Sequence, residues 1–202
     1  MRSDLAALAA VFLWGSLASL AILLDTVPPL LMTGIGLVVG SIIALPVSGF
    51  SIRRLIPKKR VLLVGVYGLL GYHFALFAGL QNAPSVQANL VNYLWPIFVV
   101  LLAPLFIRGT SLTYKHWIAG ILGFSGAALA ILSGTQLVGG FAVGYVYAGI
   151  AAIIFSSYSL ISKTLADSPT AAVGGYSFVA GVLAIGAHFV FEPPATIDSV
   201  QW

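Results

Sequence analysis

Side chains that could bind a small molecule concentrate in one apolar stretch, from Val86 to Phe106. Four of them recur at the spacing i, i+3, i+4 and i+7, which places them on one face of a continuous helix: Asn89, Asn92, Tyr93 and Pro96. An amide without a partner is costly in lipid, so this face is predicted to look into protein or a cavity. The pattern fits a wall that binds a substrate, and it fits equally well amides that bond neighbouring helices.

Pro96 predicts an interruption in this helix. It has no N–H to donate to the carbonyl of Asn92, and its ring clashes with that carbonyl. A backbone carbonyl is therefore expected to be freed near the middle of a membrane, either for a ligand or simply as part of a kink that shapes packing.

Further candidates lie in three other apolar stretches. His73 follows Tyr72 well inside one of them. An ionisable group at that depth is by default a candidate functional site. The alternative is a neutral His bonded to a neighbouring helix. Trp14 and Trp95 fall near the middle of their stretches, the wrong depth for an aromatic belt. We expect Trp95 to line a cavity because its neighbours are polar. For Trp14 the sequence fits a cavity wall and core packing equally well. Ser156 lies on a seam of small and polar residues that serves helix packing or the same cavity.

The motifs of enzymes and metal sites are missing from the sequence. There is no Cys, no HExxH, no nucleophile elbow and no P-loop, so no catalytic residue, metal or cofactor is predicted. Asp25, Asp167 and Glu192 lie at the ends of apolar stretches and never in their middle. A proton- or sodium-coupled pump usually places a carboxylate in its path, so the sequence favours facilitated diffusion.

Composition places the chain in a membrane. Of its 202 residues 60% are hydrophobic and 7% are charged, against about 25% charged in a soluble domain. The net charge of +4 could suggest nucleic acid, but the basic residues are explained better by membrane topology, and no nucleic-acid partner is predicted.

Seven stretches are long and apolar enough to cross a bilayer, which takes about 20 residues. The third and fourth are separated by a short turn, Gln81 to Ser85. The predicted spans are Leu5 to Leu24, Leu30 to Phe50, Val61 to Leu80, Val86 to Phe106, Trp117 to Ser133, Phe141 to Ile161 and Ala171 to Phe191. The predicted fold is an all-α integral membrane protein, with Gly36 and Gly40 as helix-packing positions.

The basic residues set the orientation. With the N-terminus in the cytoplasm, all nine Lys and Arg fall on the inner side: Arg2, five in the loop from Ser51 to Arg60, Arg108, Lys115 and Lys163. This matches the positive-inside bias and predicts a multi-pass protein of a bacterial inner membrane with a cytoplasmic N-terminus.

A weak internal repeat divides the chain into two units. A shift of 142 residues pairs Asp25 and Thr26 with Asp167 and Ser168, and pairs the first span with the sixth, which runs in the opposite direction. Inverted repeats of five helices build alternating-access transporters. We therefore expect residues 1–140 to form the first five-helix repeat and residues 141–202 the first two helices of a second, so that the chain is truncated.

The run Val91 to Pro96, which reads Val-Asn-Tyr-Leu-Trp-Pro, resembles the drug/metabolite transporter superfamily. It is similar in particular to EamA-type proteins and to the bacterial aromatic amino acid exporters among them. The stretch Ser156 to Pro169 resembles the sixth helix of that family. The resemblance implies ten helices in two inverted five-helix halves, both termini inside, and a central cavity that exports amino acids or other metabolites.

The resemblance also implies roles for individual residues. Tyr93 and Trp95 would line the cavity with Asn92 beside them, Tyr72 and His73 match a Tyr-His pair of the third helix, and Trp14 matches a Trp of the first. The sequence departs from the pattern in the sixth span, where those exporters often carry a Trp and this chain has Phe155 or Ser156.

We expect a transporter of small metabolites, plausibly aromatic or other apolar amino acids, that works by alternating access around a cavity in mid-membrane. Its partners would be the substrate and the lipid bilayer, and the oligomeric state is not predicted. The alternative is a membrane scaffold or partner-binding protein that transports nothing. A seven-helix receptor or photoreceptor is disfavoured, because such proteins place the N-terminus outside.

Overall fold

The computed structural model describes residues 2–132, 140–165 and 168–195. Within these ranges the chain forms ten α-helices and no β-strand. The helices are α1 (Arg2–Leu23), α2 (Pro29–Ile42), α3 (Ala44–Val47), α4 (Ile52–Leu55), α5 (Lys59–Gln81), α6 (Ser85–Asn92), α7 (Trp95–Phe106), α8 (Tyr114–Leu132), α9 (Val143–Lys163) and α10 (Ala172–Phe191). Asp167 and most of two predicted outer segments, 133–139 and 196–202, lie outside the described residues.

The predicted all-α membrane class is confirmed. Five helical stretches of the described residues are long and apolar enough to cross a bilayer: Pro29–Val47, Lys59–Gln81, Ser85–Phe106, Val143–Lys163 and Ala172–Phe191. They correspond to the second, third, fourth, sixth and seventh predicted spans. Helices α1 and α8 occupy the positions of the first and fifth, and the count of seven spans stays a prediction.

Prolines and one turn set the helix boundaries. Helix α2 begins at Pro29, where the absent N–H costs nothing because the first turn of a helix has no partner for it. Helix α5 ends at Gln81 and α6 begins at Ser85, which confirms the turn predicted between them. Gly49 adopts a φ of 66°, a left-handed conformation, just after α3 ends the second span.

The core is built from small residues on four helices. Helix α5 packs along α9, and α2 packs along α10. The second pair approaches so closely at Gly34 and Gly181 that a Cβ on either would meet backbone atoms of the other helix at 3.0 Å or less. Packing through small residues is typical of helices in lipid. The prediction that Gly36 and Gly40 pack against another helix was wrong for the part of the chain that the structure describes, where a Cβ at either would meet nothing within 4 Å.

Candidate functional site

The helix of the fourth span is interrupted between Asn92 and Trp95. The N–H of Leu94 donates to the carbonyl of Val91 at 3.1 Å, a tighter turn than the α-helical bond from Tyr93 to Asn89 at 2.9 Å. The interruption predicted from Pro96 is thereby confirmed. It splits the span into α6 and α7, so side chains on the two segments no longer follow one helical face.

Four aromatic rings from four helices meet beside this interruption. Phe155 of α9 lies 4.9 Å from Trp95 of α7, 5.1 Å from Tyr72 of α5 and 5.3 Å from Trp14 of α1, measured between ring centroids. The rings of Trp14 and Trp95 meet edge-on at 6.5 Å. Trp14 is 55% exposed, so this aromatic cluster is open on the side of α1.

Asn92 places an amide next to the cluster. Its side chain lies beside the hydroxyl of Tyr72. The residue is 5% exposed, yet its Oδ1 has no hydrogen-bond partner among the described residues. A buried polar atom without a partner costs about 1–3 kcal/mol. The amide therefore has one accepting oxygen left for a donor beside the rings.

Ser156 is fully buried and bonded within the protein. Its hydroxyl lies 2.8 Å from the carbonyl of Trp95 and 2.6 Å from the carbonyl of Ala152 one turn earlier on α9. The first contact joins α9 to the start of α7, where the Trp95 ring enters the aromatic cluster. The geometry thus gives Ser156 a part in placing Trp95.

His73 lies at the edge of the cluster, with its ring 5.1 Å from Tyr72 and 6.0 Å from Phe77. Its Nδ1 donates to the carbonyl of Leu69 at 2.7 Å. The partner is one turn earlier on the same helix, whereas the sequence suggested a neighbouring helix. Since Nδ1 carries the proton of this bond, Nε2 is the acceptor of the neutral ring.

The face predicted from the spacing of Asn89, Asn92, Tyr93 and Pro96 is divided in the structure. Asn92 is buried toward α5, while Tyr93 is 41% exposed and lines a cavity of about 390 Å³ between α7 and α8 together with Pro96. Asn89 is half-buried on α6, one turn before Asn92. Asn92 and Tyr93 are consecutive residues, about 100° apart around the helix, so they meet different neighbours.

Phe155 is the residue of the cluster that sequence reasoning missed. It drew notice only as a position where the resemblance failed, yet its ring touches three of the predicted site residues. A Phe in an apolar helix carries no signal of its own. The same holds for Tyr158 and Tyr176, whose hydroxyls lie 3.1 Å apart across α9 and α10.

A carboxylate joins the start of α2 to the end of α10. Glu192 accepts the N–H of Leu30 at 2.8 Å through Oε1 and that of Leu31 at 3.4 Å through Oε2. Its Oε2 also lies 2.9 Å from Nδ1 of His188, which is 4% exposed. Within residues 2–132, 140–165 and 168–195, no three His, Asp or Glu side chains form a group that could hold a metal ion.

Known proteins resemble this chain over nearly its whole length. Residues 1–132 match the EamA-like transporter family. The aromatic amino acid exporter YddG of Ancylobacter novellus is 33% identical over 201 residues, which make up 96% of this chain and 69% of the exporter. A solved crystal structure is similar with a TM-score of 0.76 and 32% identity, over 96% of this chain and 68% of that chain. Both likenesses extend past the family match to the helices α9 and α10.

Proposed function

This chain belongs to the EamA-like transporter family, and from that premise we propose that it exports small amphipathic metabolites, foremost aromatic amino acids. It is a multi-pass membrane protein and a transporter, as the family is, and not an enzyme. These features are consistent with a protein of a bacterial inner membrane, and we propose that its N-terminus faces the cytoplasm. The similarity to an exporter of aromatic amino acids supports the proposed substrate class.

The observation that carries the proposal is the aromatic cluster. Trp14, Tyr72, Trp95 and Phe155 gather at a helix interruption, and the cluster is open on the side of α1. Aromatic rings prefer edge-on or offset neighbours about 4.5–7 Å away, so an aromatic side chain of a substrate would be received by these rings.

Asn92 would bind the polar end of the same substrate. Its buried Oδ1 lacks a partner, and an ammonium group offers three hydrogen-bond donors. The Tyr72 side chain lies beside the Asn92 amide, so the oxygen is next to the aromatic cluster. An apolar wall with few oriented polar groups is the usual composition of a small-molecule site.

The proposed mechanism is alternating access. In this proposal Trp14, Tyr72 and Trp95 belong to the first repeat, residues 1–140, and Phe155 belongs to the second, which begins at 141. Rocking of one repeat against the other would then change how Phe155 meets the other three rings, and would open the cluster to each side in turn. No carboxylate of the described residues lies in mid-span, which supports transport down a gradient.

Efflux of labelled amino acids from preloaded proteoliposomes tests the proposal. We expect saturable efflux of phenylalanine by the full-length protein, with threonine leaving more slowly because its side chain has no ring. Trp95→Ala should abolish the saturable efflux. Trp117→Ala is the matched control, because Trp117 lies half-exposed on α8 away from the cluster. Equal efflux of the two amino acids, or equal loss in both variants, would contradict the proposal.

A further inference from the structure

A second cavity lies apart from the aromatic cluster, where the start of α5, the end of α9 and the start of α10 meet. Its volume is about 210 Å³. Apolar side chains of α5, of α10 and of the segment between α9 and α10 line it. Five residues add hydroxyl groups: Tyr158, Ser162, Ser168, Thr170 and Tyr176. We call it the hydroxyl pocket. It lies at the helix ends that the charge pattern predicts to be cytoplasmic.

The hydroxyl pocket and the aromatic cluster lie on the same faces of two helices. Gly65 lines the pocket and Tyr72 belongs to the cluster, seven residues further along α5. Ser162 lines the pocket and Phe155 belongs to the cluster, seven residues earlier on α9. Seven residues make about two helical turns, so the two sites are aligned and roughly 10 Å apart along the helices.

Two tyrosine rings of the hydroxyl pocket pack against α5. The Tyr158 ring lies against Gly68 and the Tyr176 ring against Gly65, so closely that a Cβ on either glycine would overlap a ring. The two hydroxyls are 3.1 Å apart. One of them donates to the other, which leaves one hydroxyl hydrogen of the pair to donate to a molecule in the pocket.

We propose that the hydroxyl pocket is a second binding site for the transported molecule, between the aromatic cluster and the predicted cytoplasmic end. The inference rests on the proposed function. None of the described residues that line the pocket is charged, and hydroxyls both donate and accept, so the ligand is a small uncharged or zwitterionic amphipathic molecule. The volume is below the roughly 300–1,000 Å³ of sites for drug-sized ligands, which limits the ligand to a metabolite about the size of an amino acid.

Protection of an introduced thiol tests the inference. The chain contains no Cys, so Ser162→Cys places a single, nearly isosteric thiol in the pocket. The rate of its reaction with a maleimide is measured on full-length protein in detergent, with increasing phenylalanine. We expect the rate to fall roughly tenfold at about ten times the half-protecting concentration, because only the unoccupied fraction reacts. Ser111→Cys, on the exposed loop before α8, is the control and should not be protected.

Adding Trp95→Ala to the Ser162→Cys variant distinguishes binding in the hydroxyl pocket from protection caused by binding at the aromatic cluster. A second site predicts that phenylalanine still protects Ser162→Cys in the Trp95→Ala background, although efflux is lost. Protection that disappears with Trp95→Ala would overturn the inference and leave the proposed function standing. Protection in a protein that keeps Trp95 but shows no phenylalanine efflux would support the pocket and count against the proposed function. Absence of protection in the otherwise unaltered protein would overturn the inference whatever the efflux.

Discussion

The ring of Phe155 contacts three aromatic rings that arrive from three other helices. No other member of the aromatic cluster contacts all the rest within the described residues. We therefore expect Phe155 to contribute to the affinity for an aromatic substrate, equally in the ground state and in the transition state of transport. A change of this kind is read in the KM for efflux more than in the maximal rate.

Phe155→Leu tests this role, because it keeps an apolar side chain and removes the ring. We expect the KM for phenylalanine efflux to rise roughly two- to tenfold, since an aromatic pair contributes about 0.5–1.5 kcal/mol beyond its buried area. The KM is measured from initial efflux rates over a range of internal phenylalanine concentrations. Phe189→Leu is the control, because Phe189 is exposed on the outer face of α10. An unchanged KM would remove Phe155 from the substrate site.

At the scale of secondary structure, the start of α7 has a hydrogen-bond partner outside its own helix. The Ser156 hydroxyl, on α9, supplies one by its 2.8 Å contact with the Trp95 carbonyl. The position of Trp95 thus depends on α9, which the proposed division of the chain assigns to the other repeat.

Ser156→Ala should loosen this junction. We expect the free energy of unfolding to fall by about 1 kcal/mol through the lost hydrogen bond, and phenylalanine efflux to fall as Trp95 loses its fixed position. Thermal unfolding in detergent and proteoliposome efflux measure the two effects. Ser159→Ala is the control, because that hydroxyl bonds only the carbonyl of Phe155 on its own helix, at 2.7 Å. Equal effects of the two substitutions would argue against the junction.

The start of α2 is completed by a residue from the far end of the chain. Pro28 precedes the helix and gives no side-chain cap, so the N–H groups of Leu30 and Leu31 are bonded by Glu192 instead. A carboxylate at a helix N-terminus also interacts favourably with the helix dipole. The contact fastens α2 to the end of α10, beyond their close approach at Gly34 and Gly181.

Glu192→Ala should lower the melting temperature through loss of this cap, by an amount that corresponds to about 0.5–2 kcal/mol. Glu192→Gln should lower it less, because the amide keeps one accepting oxygen for Leu30. Thermal unfolding in one detergent compares both with Asp25→Ala, which removes a carboxylate from an exposed position after α1. A melting temperature unaffected by Glu192→Ala would show that the cap contributes little.

At the scale of the whole molecule, the distribution of basic residues predicts the orientation of the chain in the membrane. The five basic residues between Ser51 and Arg60 form the strongest cluster of positive charge in the chain, and they are predicted to hold that loop in the cytoplasm. Arg53, Arg54 and Lys58 to Arg60 are exposed in the structure, as residues at a membrane surface would be. The turn between α5 and α6, around Asn82, carries no Lys or Arg and is predicted to lie on the opposite side.

Reporter fusions measure this orientation directly. A fluorescent reporter that folds only in the cytoplasm should be active at the N-terminus and within the loop Ser51 to Arg60. A phosphatase that is active only outside should work when inserted in the turn at Asn82. Exchange of the five basic residues of the loop for Gln should produce a mixed orientation, because the bias of positive charge is then weakened. Activity of the phosphatase at the N-terminus would reverse the proposed topology.

The sequence by itself determined the features that depend on neighbours in the chain. Apolar stretches separated by charged or turn residues predicted the helical membrane class and the turn after Gln81, and Pro96 predicted the interruption, because Pro acts on the carbonyl four residues before it.

Tertiary structure alone decided which distant residues meet. Trp14 and Phe155 come into contact across more than half of the chain, Glu192 completes α2, and Gly34 rather than Gly36 admits another helix. Lipid chains solvate any apolar helix face equally well, so hydropathy cannot distinguish a face that packs against protein from one that faces lipid. Shape at the helix crossings makes that choice.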